Sequence, residues 1–509
     1  MRDAALALAC GLIFSAPLAC GPLAAPKPQS LSPASLDALF DGTKPLGTGK
    51  DAVVVVPRAK SESLDAWLVS ERSVALQKML ANVSPAGAAP GSVAASPSKQ
   101  DPDYWYNWKR DAALTMSELV RLYQSSSGPA KQDYLKKLND YAAFARREQT
   151  APSQAGIGEP KGNMDGSVFT GPWGRPQDDG PAEEAGTLIA LARERLSQGD
   201  KDGARALYGD FGAGIKGDLE YVSHRWGQTS FDVWEEVKAH HFDTEMAQRR
   251  ALLEGAWLAD SLGDPGAASW YREQSQGLEA AIERHWDSAR GYIVAALGRD
   301  GGLDYKSSGL DSAVILGVIH VQPVDAAVMT RAQLDFFGPT DPRVLATAQA
   351  IADAFHAEYP LNQKQGPGTA IGRYPEDKYF GGNPWVLNTN AFAELYYDAA
   401  ARFISDGAIR VEAEDLNFFR GILKDDSLKP GTVVSSGDPL FSKIIAGLKA
   451  GGDDYLGVVR AHANPDGSLS EQIDKNSGTM TSARDLTWNY ASLLTAAQAR
   501  DALSSPKPR

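Results

Sequence analysis

The segment SFDVWEEVKAHHF, Ser230 to Phe242, sets two glutamates, Glu235 and Glu236, side by side directly behind Trp234. Adjacent like charges repel, and an indole beside them removes water. The stretch is therefore either a solvated helix face with one buried aromatic or a pair of carboxyls held for chemistry. Four other stretches mix the same residue types. DPDYWYNWKRDAALT (101–115) carries Tyr104, Trp105, Tyr106, Trp108, Arg110 and Asp111. GIGEPKGNMDGSVFTGPWGRPQDDGPA (156–182) carries Trp173, Arg175 and Asp178. IGRYPEDKYFGGNPW (371–385) offers Arg373, Tyr374, Asp377 and Trp385, and PDGSLSEQIDKNSGTMTSARDLTW (465–488) offers Glu471 and Arg484. Flat rings, carboxylates, guanidinium groups and glycines suit a sugar, which presents C–H faces for stacking and hydroxyls for bidentate bonds. A phosphate site would call for a Walker-type GxxxxGK[ST], and the sequence has none.

Composition narrows the classes further. The 509 residues are 43% hydrophobic and 23% charged, an ordinary globular balance. A net charge of −13 without a basic block argues against a nucleic-acid partner. The seven histidines show no metal-ligand spacing, so neither a catalytic metal nor a cofactor is expected. Both cysteines, Cys10 and Cys20, lie in MRDAALALACGLIFSAPLACGPLAAPKPQS, whose apolar run is too short to span a bilayer. That run is read as a secretory signal peptide over residues 1–20, cleaved between Ala19 and Ala25, in preference to a buried N-terminal helix. A lipoprotein anchor at Cys20 is the lesser reading, because Pro17 stands at its expected leucine position. The mature protein is then secreted, without an internal disulfide or membrane contact, and is taken as a monomer.

The segments need a frame. Residues 21–62 read as a linker or surface arm containing Val53 to Val56, and 504–509 as a tail. Between them, over 63–503, helical periodicity predicts helices near 63–82, 111–123, 132–149, 181–198, 203–227, 246–262, 265–286, 309–318, 343–358, 388–406, 436–450 and 482–503. Asp341–Pro342 and Gly263 are typical start and stop signals. Twelve helices with β-poor connections fit one all-α domain of concentric helix pairs. The long loops 101–110, 156–180, 228–245, 372–385 and 464–481 are where chemistry is expected.

GEPKGNMDGSVFTGPWGRPQDDGPA, TSFDVWEEV, GRYPEDKYFGGNPW and SEQIDKNSGTMTSARDLTW resemble glycoside hydrolase family 15, specifically its fungal-type glucoamylases. The motifs come in the family's order over roughly residues 63–503. The resemblance implies an (α/α)6 barrel with long functional loops on one face. It also implies an inverting exo-hydrolase that releases β-glucose from the non-reducing ends of starch, dextrins and malto-oligosaccharides. Inversion uses an acid and a base about 6.5–9.5 Å apart, with a water between base and sugar. Adjacent glutamates point apart and cannot form that pair. By resemblance Glu235 is the acid, Glu471 the base, and Glu236 a ligand of the leaving sugar. Trp234 and the charge of Glu236 are expected to keep Glu235 protonated, while Glu471 is expected to be wetter and ionised.

Carried over in the same way, Arg110, Asp111 and Arg373 hold hydroxyls of the terminal glucose and close the pocket. Trp173 packs over the acid, Tyr104 lies near the developing oxocarbenium ion, and Asp232 orients the acid region. Trp108, Arg175, Trp234 and Trp385 complete the expected substrate-binding set. Two other readings stay open: a family 15 enzyme for isomaltodextrin or trehalose, and a catalytically silent saccharide-binding barrel, which ought to lack one carboxylate. The chain departs from fungal relatives in its few cysteines and in ending too soon for a starch-binding domain. It departs again at EEVKAHHFD, whose Lys238, His240 and His241 are expected beside the second or third sugar. The sequon at Asn82 is expected to go unused, given Pro85.

Overall fold

The structure, a computed structural model, describes residues 62–504 apart from 211, 323–327, 365 and 367; the expected signal peptide, most of the arm and nearly all of the tail lie outside the described residues. Fifteen α-helices occur among the described residues. The first eight are α1 (Leu64–Ala81), α2 (Lys109–Ser125), α3 (Gly128–Thr150), α4 (Asp179–Ser197), α5 (Lys201–Tyr208), α6 (Ile215–Arg225), α7 (Phe242–Leu262) and α8 (Pro265–Ile282). The rest are α9 (Ala313–His320), α10 (Arg331–Asp335), α11 (Pro342–Glu358), α12 (Val386–Asp406), α13 (Leu416–Leu423), α14 (Pro439–His462) and α15 (Thr487–Ser504).

Their starts follow the local signals. Ser63 caps α1 by accepting from the Ala66 amide, and Asp264, Asp341 and Asp438 cap α8, α11 and α14 just ahead of a proline. Gly263 ends α7 with φ +84, a left-handed geometry that costs glycine nothing.

Six helices close a ring: α2 packs on α4, α4 on α7, α7 on α9, α9 on α12, α12 on α15, and α15 returns to α2. Helices of this ring are buried around most of their circumference, which is why they carry so little amphipathic stripe. The other long helices, α1, α3, α6, α8, α11 and α14, back onto the ring from outside. Six inner and six outer helices in alternation make an (α/α)6 barrel. The short α5, α10 and α13 decorate it.

Four corrections to the predicted helices have physical causes. The expected helix over 203–227 is two, α5 and α6, because Gly209 and Gly214 take φ +74 and +79. The helix expected to stop near 450 continues to His462. Gly451 and Gly452 do not end it; they admit the rings of Tyr396 and Tyr397, which a Cβ would meet at 2.6 and 2.5 Å. The helix expected from 482 starts at Thr487, after a strand. The pieces α10 and α13 were not anticipated, being too short to show a period.

Among the described residues the connections also hold eleven short strands in five antiparallel sheets. These are β1 (Tyr106–Trp108) with β2 (Lys161–Asn163), and β3 (Ser230–Phe231) with β4 (Val237–His241). Further on, β5 (Trp286–Asp287) pairs with β6 (Tyr292–Ile293), while β7 (Ala296–Gly302) joins β4. The last two are β8 (Ala408–Arg410) with β9 (Val433–Ser435), and β10 (Ser470–Ile473) with β11 (Met480–Arg484). Asn82 is buried, its amide donating to the Asp485 carbonyl and Thr487 Oγ1, so this sequon nitrogen is committed to joining α1 to α15.

Candidate active site

Each inner helix begins directly after one of the aromatic, charged segments. Trp108 precedes α2, Gln177 and Asp178 precede α4, and β3–β4 lead into α7. Asp311 lies two residues ahead of α9, Trp385 precedes α12, and β10–β11 lead into α15. The ring thus gathers six segments, distant in sequence, at the N-terminal ends of its inner helices.

Glu235 sits on the turn between β3 and β4 with φ +67, a conformation a non-glycine residue rarely adopts. Neither a helix nor a strand separates the two glutamates. Asp232 builds the turn: its Oδ1 accepts the amides of Glu236 at 2.6 Å and Val237 at 2.9 Å. Burial pushes the Asp232 carboxyl up, but the Lys306 ammonium at 2.9 Å, His241 and those two amides hold it down at about 2. Glu235 is half-buried, and its Oε1 accepts from Trp108 Nε1 at 2.7 Å and Gln177 Nε2 at 2.9 Å.

Glu236 points into a separate polar cluster. Its carboxylate meets Arg373 Nη2 at 2.9 Å, the Tyr374 hydroxyl at 2.6 Å and Lys306 Nζ at 3.3 Å. Arg373 is buried, chelated by Asp377 at 2.8 and 2.6 Å, and ringed by Trp234, Tyr374, Tyr379 and Trp385. Trp234 donates Nε1 to Asp311 at 2.8 Å and meets Trp385 edge-on.

Glu471 lies on β10 and is 0% exposed. Its Oε2 accepts from Ser482 Oγ at 2.5 Å and Gln472 Nε2 at 3.0 Å, and its Oε1 receives no hydrogen bond of ordinary geometry from the protein. Burial pushes this carboxyl up to about 7 against Ser482, the Tyr104 hydroxyl, Arg373 and Gln472, which favour its ionised form. The expectation that Glu471 would be the wetter carboxyl is therefore corrected: β10 and β11 bury it, whereas the turn exposes Glu235. The expected grip of Trp234 and a bare Glu236 on Glu235 is corrected too. Trp234 is taken by Asp311 and Trp385, Glu236 is neutralised by Arg373 and Lys306, and the groups touching Glu235 are Trp108 and Gln177.

The two carboxyls are linked through a short chain of neighbours. The Tyr104 hydroxyl shares a hydrogen bond of 2.8 Å with Tyr379, and the Tyr104 ring meets Trp108 at 5.4 Å, so Glu235, Trp108, Tyr104 and Glu471 form a chain of neighbours. The Tyr379 phenol, pushed up to about 12 chiefly by burial, feels the charge of Glu471 and of Glu235 alike. Arg110 binds Asp179 Oδ2 at 2.8 Å and Gln177 Oε1 at 3.1 Å, with Asp111 at 3.6 Å. Asp111, pushed up to about 6 by burial, with Arg110 opposing and Glu235 adding, lies beside the same carboxyl.

Trp173 stands at the rim, 39% exposed, edge-on to Trp108. Arg175 is not brought to the carboxyls: its guanidinium holds Glu159 at 2.5 Å within its own loop. Arg484 pairs with Asp466 away from the pocket, and Asp178 pairs with Arg225. The basic residues after the glutamates are engaged elsewhere, Lys238 with Asp300, His240 with Glu245, and His241 with the carbonyls of Ser230 and Val237. Gln177, Lys306, Asp311, Tyr379 and Ser482 were not singled out by sequence reasoning. Of these, Gln177, Tyr379 and Ser482 stand inside quoted motifs, and Lys306 carries no sequence signal at all. Among the described residues no group of three or more His, Cys, Asp or Glu is placed to hold a metal ion.

The chain is 38% identical to glucoamylase 1 of Rhizopus oryzae over 448 residues, spanning 86% of this chain and 72% of that one. It is 31% identical to a probable glucoamylase of Schizosaccharomyces pombe, spanning 88% and 94%. Among solved structures, the family 15 glucoamylase from Hypocrea jecorina superposes with a TM-score of 0.78 at 33% identity, covering 87% of this chain and 73% of that one. Glucoamylase from Saccharomycopsis fibuligera superposes with 0.81 at 28% identity, covering 90% and 99%. Residues 71–498 match the description of one family, and the chain belongs to it: glycosyl hydrolases family 15.

Proposed function

We propose that this protein is an inverting, exo-acting glucoamylase that releases β-glucose from the non-reducing ends of soluble α-glucans, with Glu235 as acid and Glu471 as base. The observation that carries the reading is the chain of neighbours that joins the carboxyls: Trp108 donates to Glu235, the Tyr104 ring meets Trp108, and the Tyr104 hydroxyl shares a bond with Tyr379 and favours ionised Glu471. In the reaction, Glu235 gives its proton to the glycosidic oxygen as the C1–O bond breaks. A water on the opposite face attacks C1, and its proton passes to Glu471.

The base is deeply buried, so its ionised form is costly until positive charge builds on the sugar ring. The attraction between them is then strong in the transition state and weak before it. Arg110 and Asp111 hold hydroxyls of the terminal glucose, and Arg373 with Glu236 holds the next sugar. Tyr104, Trp108, Trp385 and Trp234 wall the pocket, and Trp173 lines its rim. A pocket closed this way accepts a chain end only. Every residue invoked comes from one chain, so a monomer suffices, and the apolar N-terminal run supports secretion.

Proton NMR of maltotriose hydrolysis tests the proposal. The first glucose should appear as the β-anomer, and turnover should exceed that on isomaltotriose or trehalose. Initial release of the α-anomer overturns the inverting assignment, and faster trehalose or isomaltotriose turnover overturns the linkage.

A further inference from the structure

Lys161 is used by none of these steps, yet it is placed unusually. It lies on β2 opposite Trp108, and only 4% of it is exposed. Its ammonium has no carboxylate within 4.0 Å among the described residues. Instead it sits 4.3 Å from the ring centroids of Tyr106 and Trp108, 4.4 Å from Phe169 and 3.2 Å from Trp173. A desolvated cation among ring faces is attracted to each of them, most strongly to indoles.

What this cage does follows from Trp173. The indole stands at the rim of the pocket, donates no hydrogen bond to the protein among the described residues, and touches Phe169 and Trp108 only edge-on. The closest contact to its face is the Lys161 ammonium. Trp108, another wall of the cage, is the ring that donates to Glu235. One buried cation thus fixes both a substrate-facing indole and the indole that holds the acid.

We propose that Lys161 is a positioning residue that locks Trp173 and Trp108 into one substrate platform through its caged ammonium. The same charge reaches the chemistry. Burial lowers Lys161 to about 8, with Glu235 and Asp103 favouring its charged form and Arg175 opposing it. Loss of the ammonium therefore removes a positive charge from beside Glu235.

The proposal rests on the reading of Glu235 as acid only for the pH effect of that charge. Lys161→Met keeps the chain length and removes the charge. It should raise KM for maltotriose by about tenfold, lower kcat less, and move the alkaline limb of kcat/KM to higher pH. In Trp173→Phe the platform is already broken, so adding Lys161→Met should change KM by less than about twofold. Lys161→Arg should stay near the parent. Independent effects of the two substitutions on KM, or an unmoved KM and limb in Lys161→Met, overturn the proposal. Where Lys161→Met does not fold, near-UV circular dichroism of the parent supplies the measurement. The tryptophan signal should change as the ammonium titrates near pH 8, and a flat signal overturns the cage. Normal turnover in Glu235→Gln sinks the acid assignment instead, and leaves the KM comparison standing.

Discussion

Glu235 rides half-buried on a turn at φ +67, and an indole and an amide donate to its Oε1. Glu471 lies flat on a strand, wholly buried, with its own neighbour's amide and a serine on Oε2. An acid must reach the oxygen between two sugars, so a projecting turn suits it and some exposure is unavoidable. A base that only collects a proton from water gains from enclosure, which strengthens its attraction to the cationic ring. In the proposed reaction, tasks of opposite sign thus fall to opposite backbone environments. The neighbouring Glu236, one residue away, escapes both roles because Arg373, Tyr374 and Lys306 consume its charge.

Substitution tests the contrast at several depths. The largest effect should come from Glu235→Gln and Glu471→Gln. Each should cut kcat on maltotriose by about 10²–10⁴-fold, with substrate still bound by calorimetry. If only one does so, the acid and base are not a pair.

Next in size is Lys306→Met, which leaves Asp232, Glu236 and Asp311 without their shared cation. Removing one partner of a buried cluster should cost about 3–5 kcal/mol in denaturant unfolding. A change below 1 kcal/mol would mean that the turn under Glu235 stands without Lys306. Trp108→Phe removes one of two donors to Glu235 and should lower kcat by about tenfold, read in steady-state kinetics. An equal loss in KM alone would assign Trp108 to binding.

The smallest effect is the sharpest. Ser482→Ala deletes a bond that favours the ionised base, already pushed up to about 7 by burial. Its pKa should rise, so the acidic limb of the rate profile should move to higher pH by less than about one unit. A shift to lower pH contradicts the role of Glu471.

The sequence displayed some of this and concealed the rest for definable reasons. Start and stop signals such as Asp341–Pro342 and Gly263 mark the twelve barrel helices near their places even where burial on all sides leaves little apolar stripe. Gly451–Gly452 misled because glycines usually end helices, whereas these serve two tyrosines that lie elsewhere in the chain. The glutamates were legible because their motifs are long. Which of them is buried was not, since burial of Glu471 comes from β11 and Tyr104, and no local pattern announces that pairing. Lys306 and Tyr379 reach their farthest partners, Asp232 and Tyr104, 74 and 275 positions away, and no local pattern announces those pairings even though Tyr379 stands inside a quoted motif.

The ring closes through α15, the last helix described, which docks on α2 while Thr487 bonds to Asn82 and to the Ala94 carbonyl. Glu235 thus precedes Glu471 by more than two hundred positions, and the ring that gathers their segments is completed only by its last inner helix.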